Sequence, residues 1–260
     1  MKKIRILFSA FTIIATFSLN SCGPDEALDG FVTDETPTTP TTPTTPTTPT
    51  TPTTPGGGTT TGDYWPMAIG NQWVLEYEGV EQSPMKIVSK DKVGANTYYT
   101  LNQQSDMTST VTATQRLRKA GGDYYLKIEN IVYPAQDGMP GSTTGGYETI
   151  ILKDNLAVGK TWTDSFNQTT TFTDPMFPTM TLNFKTTGTI LEKNSSVTVG
   201  AKTYTDVIKI KYVQAVSSFG QTSKSTSYYW YAKDIGPVKI IIDNGTGQTV
   251  TQELVSYIIK

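Results

Sequence analysis

The chain contains few side chains that could carry out acid–base or nucleophilic chemistry. It has no histidine, which removes the Ser-His-Asp triad and the imidazole zinc site. The best carboxylate pair is Glu76 and Glu78, because residues two apart on a strand share one face at roughly 6.5 Å, near the separation that glycosidases use. Trp73, Leu75 and Tyr77 take the opposite face. We therefore expect both glutamates to face solvent, where no burial raises a carboxyl pKa.

Two shorter strings copy the spacing of known motifs without their context. Gly159-Lys160-Thr161 ends like a phosphate-binding loop, but Asp154 stands in place of the first glycine and a predicted strand follows instead of a helix. Ser83 and Lys86 have the spacing of a serine–lysine acylase, but Pro84 and a predicted strand remove the helical turn that would join their side chains. We therefore expect no enzyme and no cofactor, although oxygen ligands could still bind calcium.

The only cysteine of the sequence, Cys22, follows an apolar run near the N-terminus. A basic start precedes about a dozen mostly apolar residues, which are too few to span a bilayer and are typical of a secretory signal. Leu19-Asn20-Ser21-Cys22 resembles the lipobox of bacterial lipoproteins, which implies a diacylglyceryl group on Cys22. Because two or three acyl chains anchor a protein stably, we interpret residues 1–21 as a lipoprotein signal peptide and Cys22 as a membrane anchor. An ordinary signal peptide with a stray cysteine is the alternative.

Residues 22–62 have the composition of a linker. Prolines recur at every third residue from Pro37 to Pro55 with Thr-Thr pairs between them, which favours polyproline II and predicts a stalk of roughly 60 Å. A glycine-rich joint follows at 56–62. Asp25 and Glu26 resemble the short acidic signals that direct lipoproteins of the Bacteroidota to the cell surface. We therefore expect an outer-membrane lipoprotein that faces outward, with the periplasmic face as the alternative.

Residues 63–260 form a single β domain in our interpretation. Nearly every segment alternates apolar and polar residues, as in 207–213, and no segment keeps a helical period over three turns. Positive and negative charges balance in this region without a basic stripe. Nucleic acid is therefore not an expected partner.

The domain contains a weak internal repeat. Val93-Gly94-Ala95-Asn96-Thr97-Tyr98 returns as Val199-Gly200-Ala201-Lys202-Thr203-Tyr204. Each copy follows a Gly-x-x-Trp element and precedes a tyrosine-rich strand, although the spacings differ. We interpret the copies as two related halves, which predicts one large curved antiparallel sheet or open barrel. Coincidence is the alternative.

Four strings carry a resemblance to a known group of proteins: YWPMAIGNQWVLEYEG, VGKTW, VGAKTYTDVIKIKY and YYWYAKDIGPVKI. They resemble a group of uncharacterised secreted lipoprotein domains of the Bacteroidota over most of 64–242. The resemblance implies an exported β domain and no particular activity. The sheet-rich pattern is also similar, more distantly, to the half-barrel lipoprotein carriers of the Lol system, which hold acyl chains against a concave sheet. That second link is a fold-level analogy.

The aromatic string at 228–231 is the first candidate binding site. Alternation sends Tyr228 and Trp230 to one face and Tyr229 and Tyr231 to the other, so one pair could form a platform for a sugar ring or a groove for a lipid. Burial on both faces is the alternative. An inner cavity lined by Trp162 would indicate an apolar or amphiphilic ligand, whereas Trp230 on the surface would indicate a glycan.

The loop at 174–180 is the second candidate, because Met176, Phe177 and Met180 cluster around two prolines. If it projects, it could contact a membrane or an envelope protein, and if it folds back, it covers one end of the core, which we favour. We thus expect a non-enzymatic, lipid-anchored β domain that binds an apolar or amphiphilic ligand or a glycan. The alternative is a structural or scaffold surface lipoprotein without a small-molecule ligand.

Overall fold

The computed structural model describes residues 62–103, 111–136, 138–243 and 248–260. Within these ranges the chain forms one antiparallel sheet of 15 strands and contains no helix. The sheet curves without closing into a hydrogen-bonded barrel, which confirms the predicted all-β fold. The signal peptide at 1–21, Cys22 and the stalk were predicted for residues that lie outside the described ranges.

The first and last of the described strands lie side by side in the sheet. The order across the sheet is β7-β8-β10-β11-β12-β13-β14-β15-β1-β3-β4-β5-β6-β9, with β2 paired to β1 alone. The strands are β1 (Gln72–Tyr77), β2 (Val80–Glu81), β3 (Met85–Val93), β4 (Asn96–Leu101), β5 (Gln115–Ala120), β6 (Asp123–Ile128), β7 (Ile131–Tyr133), β8 (Ser142–Thr144), β9 (Tyr147–Lys153), β10 (Thr161–Phe172), β11 (Met180–Val199), β12 (Lys202–Ser218), β13 (Gln221–Ala232), β14 (Gly236–Asp243) and β15 (Thr249–Ile258). Strands β7 and β9 are therefore the two edges.

Side-chain alternation decides which face of the sheet is inside. In β12, Ile208, Ile210 and Tyr212 are buried, whereas Lys209 and Lys211 between them point to the outer face. Burying one such isoleucine stabilises the fold by roughly 1.5–3 kcal/mol. The inner faces of both halves of the sheet together form one hydrophobic core.

The repeated segment forms the same turn in both copies. Val93 pairs with Asn96 around Gly94-Ala95, and Val199 pairs with Lys202 around Gly200-Ala201. Both glycines have a positive φ, 60° at Gly94 and 56° at Gly200, which glycine adopts without steric cost. We call the end of the sheet with these turns the lower end. The upper end holds the β10–β11 loop (173–179) and the β12–β13 turn (219–220).

Strands β9 and β10 face each other along a seam that side chains bridge. The Trp162 indole N–H donates to the Ile150 carbonyl at 3.1 Å, and the Ile150 N–H donates to Asp164 Oδ2 at 3.2 Å. Above them, Phe166 stacks on Tyr147 with ring centroids 4.1 Å apart. These contacts, rather than a backbone ladder, hold the two strands together.

The seam depends on a glycine of the neighbouring strand. Gly188 pairs with Trp162 across β10 and β11, and a Cβ atom at Gly188 would overlap the indole. Glycine at this position thus lets the ring lie flat against the backbone of β11.

A buried polar cluster fixes the first described residues to the lower end. Asp154 is fully buried, and its Oδ2 lies 3.2 Å from the Tyr124 hydroxyl and 3.6 Å from Lys119 Nζ. The Tyr64 N–H donates to the Tyr124 hydroxyl at 2.8 Å, and Lys119 Nζ donates to the Gly62 carbonyl at 3.0 Å. Burial raises the pKa of Asp154, and the Lys119 charge offsets only part of that rise. The first described residues are therefore held by a charged, partly buried contact.

We expect Gly188→Ala to lower the free energy of unfolding by about 1–3 kcal/mol, because the new methyl group must displace Trp162 from the seam. Gly145→Ala is the control, since its Cβ would lie 3.7 Å from the nearest atom, the Thr169 carbonyl oxygen. Urea unfolding measures both. Equal losses in the two variants would contradict the role of Gly188.

Asp154 gives the fold a defined pH dependence. Its pKa is higher in the folded chain than in the unfolded chain, so the folded state binds the proton more tightly. The stability contributed by protonation is complete below the unfolded pKa and is lost as the pH rises through the folded pKa. Relative to Asp154→Asn, the wild-type protein should therefore gain unfolding free energy as the pH falls from neutral towards 4.

Unfolding of wild-type, Asp154→Asn and Asp206→Asn proteins by urea at several pH values tests this expectation. Asp206 is exposed in the structure and serves as the matched substitution. A difference between wild type and Asp154→Asn that stays constant over the pH range would show that burial does not raise this pKa.

Candidate functional site on the outer face of the sheet

Trp230 is the centre of a row of five side chains that crosses the outer face. Its register partners are Lys209 on β12 and Lys239 on β14. Lys209 Nζ lies 2.9 Å from Glu192 Oε1, and Lys239 Nζ lies 2.6 Å from Glu253 Oε1. Five neighbouring strands each contribute one residue. We call Glu192, Lys209, Trp230, Lys239 and Glu253 the Trp230 row.

One lysine of this row is held close to the aromatic ring. Lys209 Nζ is 5.1 Å from the centroid of the Trp230 ring, a cation–π contact worth about 0.5–1 kcal/mol at an exposed site. The hydrogen bond from Lys209 lowers the pKa of Glu192. Two lysines and two glutamates balance, so the Trp230 row has no net charge.

Tyr228 extends the aromatic surface towards the upper end. Its ring centroid lies 6.5 Å from that of Trp230, with the planes inclined by 44°. Tyr228 and Trp230 are half-buried in the outer face, while Tyr229 and Tyr231, which alternate with them along β13, are buried. The outer pair is therefore the accessible one.

The inner pair of the aromatic string belongs to the core. Tyr229 stacks on Tyr231 with centroids 6.0 Å apart, and Tyr231 also contacts Trp65 at 6.0 Å. Burial raises the pKa of both tyrosine hydroxyls, which stay protonated at neutral pH. These two side chains pack against other core residues and are not accessible to a ligand.

Packed side chains also fill the inner face around Trp162. Trp162 lies against Gly188 and is only 6% exposed. Two rows higher, Phe184 stacks on Phe166 at 4.8 Å, and Phe166 stacks on Tyr147. Trp162 therefore closes the seam between β9 and β10.

The inner face also buries polar side chains, next to apolar ones such as Phe184 and Val216. Gln168, Thr186, Gln214 and Ser227 are all buried there. The Gln168 side chain donates to the Gly145 carbonyl at 3.1 Å. An acyl chain laid along this face would remove polar groups from hydrogen-bonding partners, which costs free energy.

The β10–β11 loop projects at the upper end with only part of its apolar surface covered. Met176 is 87% exposed, whereas Phe177 is 38% exposed and packs on Phe172 with centroids 5.4 Å apart. Met180 begins β11 and pairs with Thr170. The loop and the β7–β8 turn border a shallow groove of about 390 Å³. Phe177 thus folds back against the domain, as we expected for the loop, whereas Met176 projects into solvent.

The carboxylates singled out in the sequence do not form a catalytic pair. Glu78 leaves the strand with φ at 51°, so it does not share the face of Glu76. Glu76 instead faces Glu253 across β1 and β15. Within the described ranges, no three acidic, cysteine or histidine side chains gather into a possible metal site.

Sequence reasoning missed the four charged members of the Trp230 row and the Asp154 cluster. Glu192 and Glu253 are 61 positions apart in the chain, and only the strand register shows that both belong with Trp230. The sequence did indicate that Lys209 faces outward, because it alternates with buried residues of β12. Asp154 drew notice only as a departure from a phosphate-binding loop.

Comparison with known proteins identifies the fold. No protein family and no curated protein matches the chain. A crystal structure from Parabacteroides distasonis, named as a "putative lipoprotein", matches with a TM-score of 0.51 and 15% identity, covering 76% of this chain and 99% of that chain. At this identity the likeness shows a shared fold alone.

A second crystal structure also matches, with a lower score. It comes from Bacteroides fragilis and is named as a "putative exported protein with YmcC-like fold". It shares 14% identity over 76% of this chain and 100% of that chain, with a TM-score of 0.35. No helix in the described part of this chain is long and apolar enough to cross a membrane.

Proposed function

We propose that this chain is a non-enzymatic lipoprotein of the bacterial cell envelope that binds a neutral carbohydrate on the Trp230 row. Acylation of Cys22 would anchor it, and residues 22–62 would separate the β domain from the membrane. The observation that carries the ligand class is the outer-face pair Tyr228 and Trp230, which two lysine–glutamate pairs flank.

The anchor is supported by the sequence before the domain. Leu19-Asn20-Ser21-Cys22 follows a basic and then an apolar segment, and a structure with the same fold bears the name of a lipoprotein. Asp25 and Glu26 favour the outer membrane with the domain facing outward, and the periplasmic face is the alternative. The described chain begins at the lower end, and the Trp230 row lies higher on the outer face of the sheet.

The chemistry of the Trp230 row suits a sugar. An indole or phenol ring offers an apolar face that can stack on the C–H groups of a pyranose, with polar groups at its edge. Lys209 and Lys239 stand on either side of Trp230, where their ammonium groups can donate to ring hydroxyls. Because the row has no net charge, a neutral sugar suits it better than an acidic one.

Two other roles predicted from the sequence receive less support. An apolar or amphiphilic ligand inside the sheet would compete with the packed rings of Trp162 and Tyr229 and with the buried polar residues above them. The resemblance to the Lol carriers therefore stays a prediction. A structural or scaffold lipoprotein without a small-molecule ligand is the second candidate, because the filled core favours it as much as it favours surface binding.

Acylation is tested by growth with an alkyne-tagged fatty acid. We expect the wild-type protein to carry the tag and to fractionate with membranes, and Cys22→Ala to lose both properties. Ser21→Ala keeps a small residue before the cysteine and should retain both. An untagged wild-type protein would refute the anchor, and proteinase K added to intact cells would separate outward from periplasmic display.

Carbohydrate binding is tested with an array of purified neutral and acidic oligosaccharides, followed by calorimetric titration of the best neutral one. We expect Trp230→Ala to weaken its affinity by about tenfold or more, because the loss of one stacked aromatic ring removes well over 1 kcal/mol. Salt should change the affinity little, since the row has no net charge.

Tyr125→Ala is the matched control for this titration. Tyr125 lies on the outer face of β6, where the Arg118 guanidinium stacks over its ring at 3.4 Å, and its loss should leave the affinity unchanged. Equal weakening in both variants would refute the assignment to the Trp230 row. An array without any binding would favour the scaffold role.

A further inference from the structure

Apolar side chains project from three neighbouring tips at the upper end. Met176 on the β10–β11 loop and Phe219 on the β12–β13 turn are 87% and 86% exposed, and Met139 on the β7–β8 turn is 59% exposed. Phe177 adds a fourth side chain that is partly packed. Single exposed apolar side chains are ordinary, but a group of them gathered at one end of a domain is uncommon unless it contacts something.

The register places these tips next to one another. Phe172, at the end of β10, pairs with Ser142 at the start of β8. Asn183, near the start of β11, pairs with Ser217 near the end of β12. The three tips therefore follow the strand order β8-β10-β11-β12-β13 along one rim, and we call them the apolar rim.

The strands behind the apolar rim become polar and then basic. Hydroxyl pairs come first: Thr169 with Thr181 at 3.2 Å and Ser217 with Thr222 at 2.8 Å. Next come Lys185 and Lys224, both exposed and both register partners of Ala215 on the outer face. Neither lysine forms an ion pair with another described residue. Their charges are therefore available to an anionic group at the depth of a lipid phosphate.

We propose that the apolar rim inserts into the interfacial layer of a lipid bilayer. The side chains stand on separate projecting tips and do not line a closed pocket, which suits a fluid surface that can surround each of them. Segments that lie in the interface bury apolar groups about 5–10 Å deep and keep cationic groups at the headgroups. Lys185 and Lys224 occupy that second position and add attraction to anionic lipids.

The apolar rim lies at the opposite end of the sheet from the entry of the chain. Gly62 and Asp63 are held at the lower end, and β12 alone, with its 17 residues, separates the ends by roughly 55 Å. A bilayer contact at the rim is therefore a second attachment, separate from the proposed Cys22 anchor. The bilayer is either a second membrane or the anchoring membrane itself, reached by bending of the linker.

The test uses the full protein, isolated from membranes and reconstituted into donor vesicles of phosphatidylcholine. Phe219→Cys is labelled with an environment-sensitive nitrobenzoxadiazole dye, and the wild-type protein treated in the same way reports any label on Cys22. Acceptor vesicles of phosphatidylcholine and phosphatidylglycerol in equal amounts are then added. We expect the dye emission to shift to the blue.

A shift in donor vesicles alone would indicate the anchoring membrane, and a shift that needs acceptor vesicles would indicate a second one. Val88→Cys on β3 is the control, because Val88 is 46% exposed on the side of the sheet, and it should give no shift. An unchanged spectrum at Phe219, or equal shifts at both positions, would overturn the proposal and leave a protein partner as the occupant of the rim.

Substitution of the rim provides an independent measurement. Phe219→Ser should weaken the capture of acceptor vesicles by about tenfold, as expected for the loss of one buried aromatic side chain, and Val88→Ser should have no effect. Lys185→Gln with Lys224→Gln should weaken capture of the anionic vesicles and leave the weaker capture of pure phosphatidylcholine unchanged. Capture that does not respond to Phe219→Ser would refute the proposal.

Discussion

The shape of this protein depends on edge strand β9 and the lower part of β10, which face each other without a backbone ladder between them. Strands β9 and β10 meet through side chains, since Trp162 and Asp164 both bind the backbone of Ile150. These side chains also occupy hydrogen-bonding groups that a bare edge would offer to another chain. The indole fits there because Gly188 has no Cβ in its path. The contact between this tryptophan and this glycine, together with those of Asp164 and Phe166, thus joins β9 to β10.

The curvature separates the two faces of the sheet into different chemical environments. Inside, Tyr229 and Tyr231 stack within the core, and buried polar residues lie beside aromatic ones in the upper part. Outside, the same strand presents Tyr228 and Trp230, and neighbouring strands place lysine–glutamate pairs beside them. A ligand of the outer face would therefore meet aromatic rings and fixed charges without displacing any part of the core. This separation makes surface binding compatible with a filled interior.

Local features of the fold could be predicted from the sequence, whereas the neighbours across the sheet could not. Alternation alone correctly separates Tyr228 and Trp230 from Tyr229 and Tyr231, because side-chain direction depends on a period of two. Which residues stand beside Trp230 depends on register, and register shifts occur between Ile190 and Ser195 of β11 and between Trp230 and Tyr231. Such bulges leave little trace in a single sequence.

Tertiary burial hides the other features from a sequence. Asp154 is a surface residue by type, and only its enclosure by Tyr124 and Lys119 makes it a buried carboxyl with a raised pKa. Phe219 is a phenylalanine that precedes a glycine in a turn. It forms part of an apolar surface only because it lies on the same rim as Met176. Both depend on contacts between segments far apart in the chain, which no local pattern encodes.

The two ends of the sheet differ in how far chain segments cover them, because the first described residues pack against the lower end. At the lower end, Tyr64 and Trp65 are buried and Lys260 donates its N–H to the Asn71 side chain at 2.9 Å. Those contacts tie both ends of the described domain to the lower end, where the exposed apolar side chains, such as Val93 and Ile258, are only about half-exposed. At the upper end, no other described residue covers Met176 and Phe219 in this way. The Trp230 row lies between the two ends, so a sugar bound there and a bilayer at the rim would occupy separate surfaces and need not compete.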